Sequence, residues 1–203
     1  FDRMGRKAVE KERKSVSDKQ LKWVEKLYPQ LNDRGLKGLT MDSIASMMGK
    51  SKSTVYEYFK SKEELVEAAI QFKLVQLGEF QAVLVDQSIP FENRYLEVME
   101  HVGKVMSDIS TLLLSDIKTF FPELWSRIED FIDFATGILQ GHYEEGIESG
   151  IYNNIDPSIL ILSDRLFFNS ISDPRFLERQ NLTLEEAFNQ YLKLKFYGMI
   201  KKN

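Results

Sequence analysis

Between Thr40 and Lys62 the chain concentrates cationic, hydroxyl and phenolic side chains: Thr40, Lys50, Ser51, Lys52, Ser53, Thr54, Tyr56, Glu57, Tyr58 and Lys62. These are the groups that polyanion recognition needs. Phosphate oxygens accept hydrogen bonds from lysine, from hydroxyls and from backbone N–H groups at a helix start. Base edges in a major groove are met by Lys on guanine, by Ser and Thr on several bases, and by Glu on the cytosine amine. The same groups would also suit a merely solvated helix face, so what matters is how they are held.

The elements around them are short and helical. Thr40 is placed as an N-cap for a helix over 41–47, with Ser43 in place of the Glu that would complete a capping box. Gly49 permits a tight turn, Ser51 caps a second helix reaching about Phe59, and Ser61 caps a third, long helix. Val55 and Phe59, four apart, point inward. Lys52, Ser53, Tyr56 and Glu57 then point outward, with Thr54 at the boundary. A supporting helix over 17–33 precedes them, its apolar face read as Leu21, Val24, Leu27, Tyr28 and Leu31. Two short helices joined at a glycine turn and backed by a third make a helix-turn-helix.

Charge divides the chain in the same place. Residues 1–64 hold 15 Lys/Arg against 10 Asp/Glu, and residues 65–203 hold 12 against 21. A cationic first part in a chain of net charge −4 suits nucleic acid or an anionic surface as its partner. The leader GRKAVEKERK fits either an arm reaching DNA or a solubilising tail. There is no cysteine, so disulfides and thiolate metal sites are excluded and a reducing compartment is expected. No apolar run approaches the ~18 residues of a membrane span, and the polar N-terminus does not read as a signal peptide.

The remainder also reads as helices. Apolar spacing at three and four residues recurs, and breakers set the limits. Leu65, Ala69, Phe72 and Val75 are expected on one face of the helix from Lys62. Further helices are expected at about 91–108, 110–119, 122–148, 156–172 and 183–200, the last with Thr183 and Glu186 as a capping box; SDPRFLERQN reads as a loop or short turn. The fold class is therefore all-α, with about nine helices. His101 and His142 stand 41 residues apart with no carboxylate pattern, so no metal is expected. The chain has no phosphate-binding glycine loop, nucleophile elbow or metal-binding His/Glu helix, and enzymatic activity and cofactors are not expected.

The stretch LTMDSIASMMGKSKSTVYEYFKSKEELVEAA resembles the DNA-binding segment of the TetR family of bacterial transcription regulators. Thr40, Ile44, Ala45, Gly49, Ser51, Thr54, Val55, Tyr56, Phe59, Lys62 and Leu65 fall in the register of that family's pattern. The resemblance implies an N-terminal DNA-binding domain over 1–64 and a ligand-binding and dimerisation domain over 65–203. It implies phosphate contacts from Thr40, Ser51, Tyr56, Tyr58 and Lys62, and Lys52, Ser53, Thr54 and Glu57 nearest the bases. Tyr56 also fits packing on the preceding helix. Lys50 departs from the pattern, which has a hydrophobic residue there; its stem is expected to cover the turn and its ammonium to reach a phosphate.

In the second part the resemblance implies a cavity for a largely apolar effector, with Tyr95, Met99, Val102, Met106, Leu113, Ile117, Trp125, Ile128 and Phe131 as wall candidates. Each of these also suits plain core packing. It implies a homodimer built on the last two helices, with Ile159, Leu162, Leu166, Phe167, Leu192, Phe196 and Met199 at the interface. The expected function is a cytoplasmic bacterial regulator, a repressor that binds a palindromic double-stranded operator and is released by its effector, with no membrane partner. The alternative is a non-catalytic helical adaptor or anionic-surface-binding protein.

Overall fold

The computed structural model describes residues 18–201, and the leader lies outside them. Eleven helices follow one another: α1 (Asp18–Arg34), α2 (Met41–Met47), α3 (Lys52–Tyr56), α4 (Lys62–Gly78), α5 (Phe80–Val85), α6 (Phe91–Met106), α7 (Thr111–Phe120), α8 (Pro122–Glu148), α9 (Pro157–Ile171), α10 (Pro174–Gln180) and α11 (Leu184–Met199). The two helices beyond the expected count have local causes. The long helix from Lys62 breaks at Gly78–Glu79 and resumes as α5. In SDPRFLERQN, Asp173 caps a helix whose first residue is Pro174, its side chain accepting from the Arg175 N–H at 3.0 Å.

The supporting helix α1 runs on through Pro29 although proline removes one helical donor. Its packed face explains why: Trp23, Val24, Leu27, Tyr28 and Leu31 are buried on both sides of the proline. Leu21, expected on that face, is exposed, and Trp23 takes the inward position. On α4 the buried positions are Leu65, Val66, Ala69, Ile70 and Lys73, while Val75 faces out and Phe72 is half-buried. The apolar stripe of α4 is wide because α1, α6 and α8 all pack on it.

Two apolar clusters fill the interior. The larger runs from Val24, Leu27 and Leu31 through Ile44, Val55 and Phe59 to Leu113, Ile117, Phe188 and Leu192. The smaller, at the far end of the bundle, gathers Phe80, Leu84, Tyr95, Val98, Tyr143, Tyr152 and Met199. There the turn after α8 closes on the end of α11. Tyr152 pairs with Ile200 in an isolated antiparallel bridge, and the Asn153 N–H donates to the Met199 carbonyl at 2.7 Å. Gly146 is required under this turn, since a Cβ there would overlap the Tyr152 ring.

A buried ionic group joins α8, α9 and α11. The Asp164 carboxylate accepts from the Tyr143 hydroxyl at 2.7 Å and the Tyr191 hydroxyl at 3.0 Å, and it pairs with the Lys195 ammonium. Lys195 also donates to the Leu160 carbonyl at 2.9 Å. Burial lowers the affinity of the Lys195 amine for its proton, and the neighbouring carboxylate opposes this. Both charges are nearly inaccessible, and each is paired and hydrogen-bonded, as buried charges must be.

Candidate nucleic-acid interface and cavity

The helix-turn-helix is built from caps and one glycine. Thr40 Oγ1 accepts from the Ser43 N–H at 3.2 Å, and the Ser43 hydroxyl oxygen accepts from the Thr40 N–H at 3.0 Å. The capping box is thus complete with serine doing the work expected of glutamate, because the short hydroxyl arm reaches back over one turn. At the end of α2, Gly49 adopts φ +64°, the Lys50 N–H donates to the Ala45 carbonyl and the Gly49 N–H to that of Ser46. This is a Schellman closure, in which a left-handed residue lets two N–H groups satisfy the last helical carbonyls. Ser51 Oγ then accepts from the Thr54 N–H at 3.1 Å and starts α3. Val55 and Phe59 are fully buried and fix α3 to the core.

Lys52, Ser53, Tyr56 and Glu57 face solvent, with Thr54 half-buried. Ser51, Ser53 and Thr54 form one hydroxyl cluster, with oxygens 2.9 and 2.7 Å from Ser51 Oγ. Thr40 and Lys62 also lie at this surface, where Lys62 Nζ donates to the Leu39 carbonyl at 3.3 Å. Three side chains have intramolecular partners that the sequence did not disclose. Lys52 pairs with Asp42 at 2.8 Å, and that hydrogen bond, with the carboxylate charge, holds its ammonium above the ordinary lysine range. Lys50 Nζ lies 5.2 Å from the centre of the Trp23 ring. Tyr58 packs edge-on against the same ring, centroids 5.5 Å apart. The lysine that breaks the apolar pattern at the turn therefore sits over an indole, where a cation is favoured. Trp23 was not foreseen as this support; its place beside Val24 on an amphipathic helix was the available signal.

The second part of the chain contains a cavity of about 140 Å³ between α1, α4, α6, α7 and α8, closed at one side by α9 and α11. Met99, Val102, Met106, Leu113, Ile117, Ile128 and Phe131 line it, as the sequence suggested. Tyr95 and Trp125 do not. Tyr95 lies wholly buried in the far cluster, its ring stacked parallel to Phe196 and His142. Trp125 lies outside the wall, donating from Nε1 to Glu129 at 2.9 Å with Lys118 over its ring. Tyr28 and Lys73 line the cavity and were not anticipated. Lysine four residues after buried Ala69 was a visible clue, since it places a cation on the inward face of α4.

On the outer faces of α9 and α11, Ile159, Leu162 and Leu166 are exposed. Phe167 is half-buried and stacks on Tyr191 at 3.8 Å, and Phe196 is half-buried beside Tyr95. Leu192 and Met199, expected at an outer interface, are buried inside the protomer instead. The helical wheel of α11 is turned so that Leu194 and Tyr197 face out. Among the described residues no group of three or more His, Asp and Glu side chains is placed to hold a metal, and no helix is long and apolar enough to cross a membrane.

The helices before Lys62 are linked to the cavity wall by hydrogen bonds as well as packing. The Asp116 carboxylate of α7 accepts from the Leu36 N–H at 2.6 Å and the Lys37 N–H at 3.2 Å. The Asn32 side chain accepts from the Ser110 N–H at 2.7 Å, and the Ser110 hydroxyl donates to the Asn32 carbonyl at 2.7 Å.

A capped helix-turn-helix with an apolar cavity in the helical body behind it is the architecture of a one-component DNA-binding regulator. Residues 29–69 match the model of the bacterial regulatory proteins of the tetR family. The chain is 24% identical over 167 residues to the uncharacterized HTH-type transcriptional regulator YvaF of Bacillus subtilis, covering 79% of this chain and 85% of that one. Over 61 residues, 30% of each chain, it is 39% identical to the HTH-type transcriptional repressor KstR2 of Mycolicibacterium smegmatis. Its fold is similar to that of the transcriptional regulator FadR from Bacillus subtilis, solved with stearoyl-CoA, with TM-score 0.63 and 18% identity over 88% of this chain and 98% of that one. The helix-turn-helix segment is thus similar to that of the tetR family of bacterial regulatory proteins, and over most of its length the chain is similar to helix-turn-helix transcription regulators.

Proposed function

We propose that the protein is a cytoplasmic repressor that binds a palindromic operator as a homodimer and leaves it when a small, largely apolar effector enters the cavity. In this reading residues 1–64 form the DNA-binding head and residues 65–203 the sensing and dimerising body. One observation carries it. The helix α4 begins at Ser61–Lys62 beside α3, and its own Ile70, Lys73, Leu74 and Leu77 line the cavity. A ligand that favours a different position of α4 must therefore move the helix-turn-helix, in proportion to its differential affinity for the two positions.

Thr40, Ser51, Tyr56 and Lys62 meet phosphates, and Lys52, Ser53, Thr54 and Glu57 lie nearest the bases. Lys50 and Tyr58 act mainly through Trp23, flanking the same surface. Met99, Val102, Met106, Leu113, Ile117, Ile128 and Phe131 contact the effector. The dimer forms on α9 and α11 through Ile159, Leu162, Leu166, Leu194 and Tyr197, an exposed apolar face of the kind that marks an interaction site. A two-fold dimer matches a palindrome whose half-sites lie one helical turn apart.

The test is duplex binding against salt, using the promoter beside the protein's own gene and an unrelated duplex. Preference for the promoter, with affinity falling steeply as salt rises, is expected. Equal affinity for both duplexes at physiological salt overturns the reading.

A further inference from the structure

We infer that the cleft between α4 and α8 is the mouth of the cavity, with Phe131 as its door, and that the effector is an amphipathic molecule whose apolar end passes Phe131 while its polar end stays in the cleft. The inference rests on the cavity being the effector site, and it names the chemistry and the bound orientation of that effector.

The cavity has nothing to offer a polar group. Its wall is apolar apart from Tyr28, Lys73, Thr136 and Ser172. The Thr136 hydroxyl donates to the Ile132 carbonyl at 2.9 Å, and the Ser172 hydroxyl to that of Phe168 at 2.8 Å. The Lys73 ammonium is held by both oxygens of Asp108, at 2.7 and 2.9 Å. The Tyr28 hydroxyl oxygen is buried out of reach. A polar group drawn wholly inside would lose its water and gain no partner. The polar part of an effector must therefore stay outside the wall, joined to the apolar part through it.

The wall is one side chain thick at Leu74 of α4 and Phe131 of α8. Both are half-buried, and both line the cavity on one side and the cleft on the other. Gly78 stands next to them, where α4 ends. A Cβ there would lie 3.7 Å from the Phe131 ring, so the missing side chain leaves that ring edge uncovered. On the lips of the cleft, Val75 and Phe134 are each 56% exposed, and neither the core nor the outer face of α9 and α11 uses them. Large apolar side chains held in water on both sides of a cleft give an apolar group a path inward. Gln71, Gln81, Arg127 and Asp130 rim the same cleft, where a polar end keeps both hydrogen bonds and water. A second cleft meets the cavity beside Ser107 and Thr111, but there Met106 and Leu184, both buried, close the wall.

The chain has no cysteine, so one introduced thiol reports on one place. Asp130→Cys puts it in the proposed mouth and keeps both apolar lips; Ser107→Cys puts it in the second cleft. The probe is N-(4-phenylbutyl)maleimide, compared with N-methylmaleimide. A cavity of about 140 Å³ holds a single aromatic ring, and the butyl linker leaves the maleimide in the cleft. The thiolate adds to the maleimide double bond, forming a C–S bond at one carbon while the other takes a proton from water, and nothing leaves. In the full chain Asp130→Cys is expected to react at least about tenfold faster with the phenylbutyl probe than with the methyl one, the gain from burying one ring, and its rate should saturate with probe concentration. Ser107→Cys should show no preference. Gly78→Leu sets a side chain against Phe131 in the mouth, and Leu113→Trp, or Val102→Phe should that variant not fold, fills the cavity. Either change added to Asp130→Cys should abolish the preference. If the preference appears at Ser107→Cys instead, or survives Gly78→Leu, the mouth is overturned and the cavity as a binding site stands. If neither cysteine shows it, or filling the cavity leaves it in place, the inference fails as a whole. Release from the promoter by another effector that the filling variant blocks would then leave the regulator reading intact.

Discussion

Asp42 Oδ2 holds the Lys52 ammonium at 2.8 Å, so the first cation of α3 is already paired inside the protein. Both side chains are solvated, and such a pair is easily exchanged for a phosphate or a guanine edge. Asp42→Asn removes an anion from the surface that would face DNA and releases Lys52. Operator affinity should rise roughly fivefold at low salt, with a salt slope steeper by about one. Fluorescence anisotropy across a salt series checks this; unchanged affinity and slope would place Lys52 away from the DNA.

Lys62 opens α4, where a cation is disfavoured by the helix dipole, and its ammonium reaches back to the Leu39 carbonyl. Lys62→Ala should weaken binding about equally on operator and unrelated duplexes, as the loss of a phosphate contact does. Glu57→Gln should instead change which base is preferred. Thermal unfolding of both variants separates lost contacts from lost fold. A neutral effect of Lys62→Ala on binding by a folded protein contradicts its assignment.

The outward-facing positions of α9 and α11 give a test of the dimer. Leu194→Asp and Leu162→Asp place carboxylates on the exposed apolar face, while Leu192→Asp would strike the protomer core. The first two should leave a folded monomer at micromolar concentration by sedimentation. A dimer that survives both changes does not use this face.

Asp164 is the acceptor on which Tyr143, Tyr191 and Lys195 converge. Asp164→Ala strands the Lys195 cation and should cost about 3–5 kcal/mol in chemical denaturation. Pairing it with Lys195→Met removes the stranded charge and should recover most of that loss. If the double variant is no more stable than the single one, the charge is not what destabilises it.

His142 gives a pH dependence. Burial first, and the Arg94 charge second, lower its pKa to about 4, and its Nε2 lies 2.7 Å from the Tyr152 hydroxyl. The unfolded chain titrates near the ordinary 6.5. Below that value the unfolded state takes up a proton that the folded state refuses. Stability should therefore fall as pH drops from about 6.5 to about 4, by up to about 3 kcal/mol. His142→Phe keeps the stacking with Phe91 and should flatten this part of the stability profile.

Much of the head was legible because its signals are local. Thr40, Gly49, Ser51 and Ser61 act within one turn of themselves, and Val55 and Phe59 follow from helical spacing. The limits of α2 and α8 and the start of α4 could be read for the same reason: caps and prolines act on the residues beside them. Even so, Ser43 completed a capping box for which the sequence rule requires a longer side chain, because the rule names the residue and the geometry needs only an oxygen within reach.

The sequence by itself determined that this is an all-helical protein with a cationic helix-turn-helix near its N-terminus and an acidic helical body. Tertiary structure alone decided which residues of each apolar stripe face the core, a cavity or solvent. Helical periodicity defines a stripe, but the rotation of a helix depends on every neighbour that packs on it. That is why Leu192 and Met199 turned inward, Tyr95 and Trp125 left the cavity, and Lys50 found Trp23, 27 positions away in the chain.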